Sequence, residues 1–167
     1  MGESPVNPIR QDFYKNFNFR VKWDGKYIPA VTKVYGLIRT TGVIENREGG
    51  DPSQPRKTTG PTEFGPITLE RGVTGDLEFD NWASLVFRLG ASTGGEMVVE
   101  QFRKDISIEL YNDAGQLVRA YKVYRCWPKE YQPLSELDAN GSAVLTERLT
   151  LENEVWERDP LVTPPLF

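Results

Sequence analysis

An antiparallel β-barrel or sandwich with one flanking α-helix is predicted by three features of this sequence. Apolar and polar residues alternate through several short runs, Gly- and Asn-containing turns separate those runs, and a single stretch switches to helical spacing. The first run sets Phe17, Phe19, Val21 and Trp23 on one face and Asn18, Arg20 and Lys22 on the other, which is a half-buried strand. Asp24-Gly25 supplies a tight turn, and Tyr27 to Val34 returns toward Gly36 as a hairpin strand interrupted by Pro29. A third strand is expected through Leu37 to Ile44. Glu45 to Gly60 then holds almost no apolar residue, so it cannot pack into a core and must project as a long loop or ribbon, a kind of connection that tends to carry function.

Gly65 to Leu69 resumes a strand that Arg71-Gly72 closes. From Asp76 to Leu89, Leu77, Trp82, Leu85, Val86 and Leu89 recur at helical spacing, and Gly90 is placed to stop the helix. Ala91 to Gly95 is a small-residue loop. Ile106, Ile108 and Leu110 then face one way along a strand, Asn112 to Gly115 makes a hairpin turn, and the return strand runs from Leu117 to Cys126 until Trp127-Pro128 ends it. Leu134 to Ser142 is a polar loop, and Ala143 to Trp156 alternates again as a last strand. The expected organisation is an N-terminal arm over 1–11, one β domain over 12–157 and a Pro-rich C-terminal tail over 158–167.

Composition narrows the chemistry. With 167 residues, 38% hydrophobic and 26% charged, the chain is long enough to bury roughly 70% of its unfolded surface without a metal or disulfide. Histidine is absent, which removes Ser-His-Asp and Cys-His catalysis and His-ligated metals. The single Cys126 can form no intrachain disulfide and has no His to activate it, so a packing role is expected. Lys plus Arg total 20 against 24 for Asp plus Glu, a net charge of -4, which argues against a strongly basic nucleic-acid clamp. No apolar run approaches roughly 20 residues, and 1–10 lacks the apolar core of a secretory leader, so neither membrane insertion nor secretion by a signal is expected.

Three constellations invite a chemical reading. The carboxylates Glu45, Glu48 and Asp51 could act as a glycosidase pair, but a Gly- and Pro-rich segment interleaved with Arg47, Arg56 and Lys57 suits ion pairing with another surface better. Glu48-Gly49-Gly50-Asp51 lacks the spacing of a phosphate-binding loop. Trp23, Trp82, Trp127 and Trp156 could line a sugar- or peptide-binding platform, the alternative being core or interface anchors. Lys15, Arg20 and Lys22 form a modest basic face that reads as solvated surface. No enzyme, cofactor or metal is expected.

The unusual central segment carries a family resemblance. Gly42-Val43-Ile44-Glu45-Asn46-Arg47-Glu48-Gly49-Gly50, then Arg56-Lys57 with Gly60, then Gly65-Pro66-Ile67-Thr68-Leu69-Glu70-Arg71-Gly72-Val73 and the helix with Trp82, resembles the tail tube proteins of contractile phages and of phage-derived contractile injection systems. The opening strand from Asn16, the Val34-Tyr35-Gly36-Leu37 corner, the Asp113-Ala114-Gly115 turn, Cys126-Trp127-Pro128, and the closing strand with Glu147, Leu149 and Leu151 are similar as well, so the likeness covers about 12–156. It implies a β-barrel or sandwich that assembles into hexameric rings, stacked as the rigid inner tube pushed out on sheath contraction. The ring protein of type VI secretion is related in fold. Sheath protein, spike or baseplate hub and terminal cap are the implied partners, with DNA or protein cargo in the lumen, bacterial cytoplasm as the place of synthesis, and a phage tail or injection particle as the destination. Glu45, Arg47, Glu48, Arg56 and Lys57 are the expected contacts between rings, with Gly49, Gly50 and Gly60 supplying backbone turns. The N-terminal arm and the tail from Asp159 depart from the family pattern and leave open a specialised ring near the spike. A monomeric sugar- or peptide-binding β-sandwich is the competing reading.

Overall fold

The computed structural model describes residues 17–46, 49, 55–90 and 99–164. Ten strands and two helices follow in the order β1 (Asn18–Trp23), β2 (Lys26–Tyr27), β3 (Val31–Tyr35), β4 (Arg39–Asn46), β5 (Arg56–Phe64), β6 (Ile67–Gly72), α1 (Glu78–Gly90), α2 (Val99–Phe102), β7 (Lys104–Tyr111), β8 (Leu117–Gln132), β9 (Thr146–Glu152) and β10 (Val155–Arg158). Eight of the strands make one antiparallel sheet whose order is β2-β1-β7-β8-β9-β6-β3, with β10 also on β8. Among the described residues β4 and β5 pair only with each other.

The large sheet doubles over because β8 belongs to both halves. Residues 117–126 pair with β7, residues 121–124 also take β10 on the other edge, and residues 127–132 pair with β9. At the crossover Arg125 adopts a left-handed φ of 54°, and the β9 register slips between Pro128 and Glu130, so the strand bends where it changes sheets. Val21, Trp23, Ile106, Ile108 and Val123 from one half thereby meet Ile67, Leu69, Leu149 and Leu151 from the other. This is a sandwich. The sheet does not close into a barrel, since among the described residues β2 and β3 end the strand order.

Helix α1 closes the core along one flank. Trp82 and Phe79 project inward, their rings 5.1 and 6.0 Å from Trp23, and the Trp82 indole N–H donates to the buried Phe102 carbonyl at 2.7 Å. The helix start is fixed by Arg71, which is fully buried. Its Nε donates to Glu147 Oε1, its two terminal nitrogens donate to Asp76 Oδ2 at 2.6 Å and to the Asp76 carbonyl at 2.9 Å, and its guanidinium lies 4.1 Å from the Phe79 ring centre. The Tyr131 hydroxyl donates to the second Glu147 oxygen at 3.0 Å. A buried guanidinium is tolerable only when its charge and donors are met this way.

Several expectations need correction. β6 starts at Ile67 rather than Gly65, and it ends at Gly72 as expected. Trp127-Pro128 does not end β8: Pro128 adjoins the irregular step at Pro128/Glu130, where its missing N–H is accommodated, and the strand runs on to Gln132. The single last strand is two, β9 and β10, divided at Asn153-Glu154. The returning strand after Asp24-Gly25 divides at Pro29 into β2, which pairs with β1, and β3, which pairs with β6. The segment from Glu45 to Gly60 is less of a loop than expected, because pairing runs to Asn46 and resumes at Arg56.

Candidate assembly surfaces

The β4–β5 ribbon is held together by its own ladder rather than by a core. Arg39 pairs with Phe64, Thr41 with Thr62, Val43 with Thr59, Ile44 with Thr58, Glu45 with Lys57 and Asn46 with Arg56. Thr41 and Thr62 join their hydroxyls at 2.9 Å, and β-branched threonines suit a strand that has only its partner to lean on. A register shift between Thr41 and Val43 sets Gly42 against Gly60 and Pro61. A Cβ on Gly60 would come within 3.2 Å of the Gly42 backbone, so a side chain there would require the facing strand to give by a few tenths of an ångström. All of β4 is exposed, with Val43 at 65% and Ile44 at 47%, so apolar side chains stand in water without a cover.

The base of the ribbon, in contrast, is clamped. Gly36 takes φ 103° and a Cβ there would lie 2.2 Å from the Pro66 carbonyl oxygen, a place open to glycine alone. Asn153 donates to the Gly65 carbonyl at 2.9 Å, Phe64 meets Trp156 edge-on at 5.8 Å, and the Arg39 guanidinium lies 5.5 Å from the Trp156 ring centre. The turn between β9 and β10 therefore fixes where the ribbon leaves the sandwich.

Of the residues expected to make contacts between copies, Glu45, Arg56, Lys57 and Gly60 lie on the ribbon strands and Gly49 is exposed beyond them. Arg47, Glu48 and Gly50 lie outside the described residues, as does Asp51. Glu45 faces Lys57 across the ladder. Sequence reading missed Arg71, Asn153 and Trp156 as the parts that hold α1 and the ribbon base. The alternation Ile67, Leu69, Arg71 was the available signal for the first, because it sets the arginine on the core face.

The sheet ends supply a second kind of surface. Among the described residues β2 covers only Lys22 and Trp23 of β1, and β3 pairs only with β6 in the sheet order, so within that part of the chain backbone donors and acceptors are left at both ends. Near the first end, Arg20 lies 5.6 and 5.0 Å from the Tyr27 and Tyr111 ring centres, and both tyrosine hydroxyls donate to Glu109, Tyr27 at 3.1 Å. Burial, followed by that carboxylate, pushes the Tyr111 phenol well above its usual range. Across the other end Lys33, Glu70 and Arg148 form a ladder, with Glu70 at 3.6 and 3.1 Å from its two cations. The hydrogen bond from Arg148 holds the Glu70 carboxyl below its ordinary value.

The remaining candidates are packing residues. Trp23 and Trp82 are buried and Trp127 and Trp156 half-buried, so none of the four offers an open platform. Cys126 is fully buried, its thiol pushed up to about 12 by desolvation, 3.6 Å from the Val123 carbonyl oxygen. Among the described residues no three of Asp, Glu, Cys or His gather to hold a metal, and no helix is long and apolar enough to cross a membrane.

Comparison with known proteins places this geometry. The family model of the T4-like virus tail tube protein gp19 matches residues 15–157. A chain in the sheath–tube complex of an extracellular contractile injection system, PVC, in the extended state is 26% identical, with 93% of each chain covered and a TM-score of 0.70. A chain of the anti-feeding prophage cap, AFP, is 23% identical over 95% of each chain with a TM-score of 0.67. Hcp1 from Flavobacterium johnsoniae is 18% identical over 84% of this chain and 93% of that one, with a TM-score of 0.50. At those lower identities the last two likenesses show a shared fold. A search of curated protein sequences gives no match.

Proposed function

This chain belongs to the T4-like virus tail tube protein family, and from that premise we propose that it forms hexameric rings that stack into the rigid inner tube of a contractile tail or injection system. The observation that carries the proposal is the β4–β5 ribbon, a paired and clamped projection whose apolar side chains find no cover among the described residues. A structure that satisfies its core and then extends such a ribbon is built to meet another surface. The sheet ends left unpaired among the described residues support lateral joining of copies around a lumen, since a closed ring occupies sheet edges that would otherwise aggregate.

In this reading the protein works by geometry. Lateral pairing makes the ring, the ribbon links one ring to the next, and the tube is driven outward when a surrounding sheath shortens. Glu45, Arg47, Glu48, Arg56 and Lys57 contribute the polar part of the contact between rings, with Gly49, Gly50 and Gly60 shaping the backbone. Sheath, spike or baseplate hub and terminal cap are the partners, and the likeness to chains of a sheath–tube complex and of a cap supports that set. DNA or protein is the cargo. The chain is made in the bacterial cytoplasm and ends in the particle.

Mass photometry with negative-stain imaging of the same sample tests the proposal. Particles of six times the 19.0 kDa chain mass, and stacks of them, are expected. A chain that stays at 19.0 kDa at every concentration, with sheath protein and baseplate present as templates, overturns it. The double change Arg47→Glu with Arg56→Glu is expected to leave rings intact and shorten or abolish stacks.

A further inference from the structure

We propose that the ribbon of one copy docks into an acidic, apolar pocket formed by the 134–145 loop of the next copy, so that rings stack head to tail through these two elements. This deepens the tube reading and rests on it. The pocket, about 480 Å³, is lined by the apolar Leu137, Ala139, Ala143 and Leu145 together with the acids Glu136 and Asp138. Between Pro133 and Leu145 the sequence has those two acids and no Lys or Arg. Leu137 and Val144 are 67% and 79% exposed, too much apolar surface for one short loop to leave uncovered without a partner. The loop is nonetheless shaped: Ser135 N–H donates to the Thr146 carbonyl at 2.8 Å and Thr146 N–H to Ser135 Oγ at 3.1 Å, while Asn140 N–H donates to Asp138 Oδ1 at 2.9 Å.

The ribbon offers the complementary chemistry. Alternation along its ladder puts Ile44, Asn46, Thr58 and Arg56 on one face, an apolar side chain diagonal to a guanidinium. Arg56 is the charged member of that face, a cation for a pocket whose charged lining is acidic. Ile44 suits the apolar side chains of the pocket and Arg56 its carboxylates.

Sheet register supplies the geometry. β6 begins at Ile67, opposite Leu151 and just beyond the ribbon base, and ends at Gly72, opposite Thr146 and just before the point where Val73 N–H donates to the Leu145 carbonyl at 3.0 Å. Ribbon and pocket therefore leave opposite ends of the same strands. Eight residues of β4 at about 3.3 Å each reach roughly 25 Å from the base, ample to meet a neighbour. A contact between unlike surfaces at opposite ends of one molecule repeats without closing, which is what a stack of rings requires.

Two chains with one added cysteine each, Ile44→Cys and Leu137→Cys, test the pairing, because native Cys126 is buried and does not compete. Mixed, assembled and oxidised, they are expected to give a disulfide-linked dimer on non-reducing gels that neither gives alone. Tubes on micrographs without that dimer overturn the proposed receptor and leave the tube reading standing. If either cysteine variant fails to stack, charge reversal decides: Arg56→Glu with Lys57→Glu is expected to abolish stacking, and adding Glu136→Lys with Asp138→Lys to restore it, whereas failure to restore overturns the pairing. If the unsubstituted chain never forms rings or stacks, the tube reading falls and the docking proposal with it.

Discussion

β5 and β6 are consecutive strands with only Gly65 and Pro66 between them, yet they are stabilised in opposite ways. Five of the six residues of β6 are buried and none of the nine in β5 is. β6 is a strand because Ile67 and Leu69 enter the core and Arg71 anchors α1, with neighbours on both edges. β5 is a strand because β4 lies beside it, and for no reason of burial. Sheet structure can thus be imposed by pairing alone when threonines fill the ladder and the base is fixed by surrounding side chains. The difference separates folding from what the proposed function assigns to assembly: β6 can be altered only at the expense of stability, whereas β5 contributes nothing to the core.

That separation can be broken most severely at Arg71. Arg71→Ala leaves Glu147 buried beside Tyr131 without its cation, and a loss of about 3–5 kcal/mol is expected in urea unfolding. A loss below about 1 kcal/mol would mean that α1 is held by packing alone. The junction comes next. Gly36→Ala forces a Cβ against the Pro66 carbonyl in a left-handed conformation, at an expected cost of about 1–3 kcal/mol, with stacking weakened as well because the ribbon base must shift.

A smaller effect is expected at the ladder of Lys33, Glu70 and Arg148. Since folding lowers the Glu70 pKa, its contribution is fully present above the ordinary value of 4.5 and is lost as pH falls through the depressed value. Both cations are well exposed, so solvent screens the pair and the contribution is modest. Glu70→Gln should flatten the fall of Tm on acidification below 4.5, and an unchanged slope would remove the ladder from the acid response. The smallest change in stability is expected on the ribbon. Ile44→Asp should move the urea midpoint by no more than about 0.5 kcal/mol in free energy while tubes disappear from micrographs. A large destabilisation there would erase the contrast between the two regions.

The same contrast explains what could be read from the sequence. β1, α1 and the β7–β8 hairpin were legible because burial writes period: Val21 and Trp23, Trp82 and Val86, Ile106 and Ile108 all face the core, although Leu77, read with the helix, is exposed just before it, and the buried Phe79 went unread. The 56–64 run has no such period, since Lys57, Thr59 and Glu63 answer to β4 rather than to an interior, and so β5 was read as part of a loop. Pro128 hid the continuation of β8, because sequence does not show that the ladder there is irregular. That the 45–60 segment leaves the core was legible from its odd composition. The 134–145 pocket was not, since a polar loop declares its apolar lining only when Ala143 and Leu145 are brought back to Leu137 in space.

The shared strand β8 has a mechanical meaning. Sixteen residues of continuous backbone belong to both halves of the sandwich, paired to β7 and β10 at one end and to β9 at the other. A load entering one half reaches the other through covalent bonds and through hydrogen bonds sheared together along a ladder, not by prying apart apolar surfaces that resist separation only weakly and without direction. The subunit is cross-braced like a spar through two ribs, so that a thrust along the strands would find no seam in the fold at which to yield.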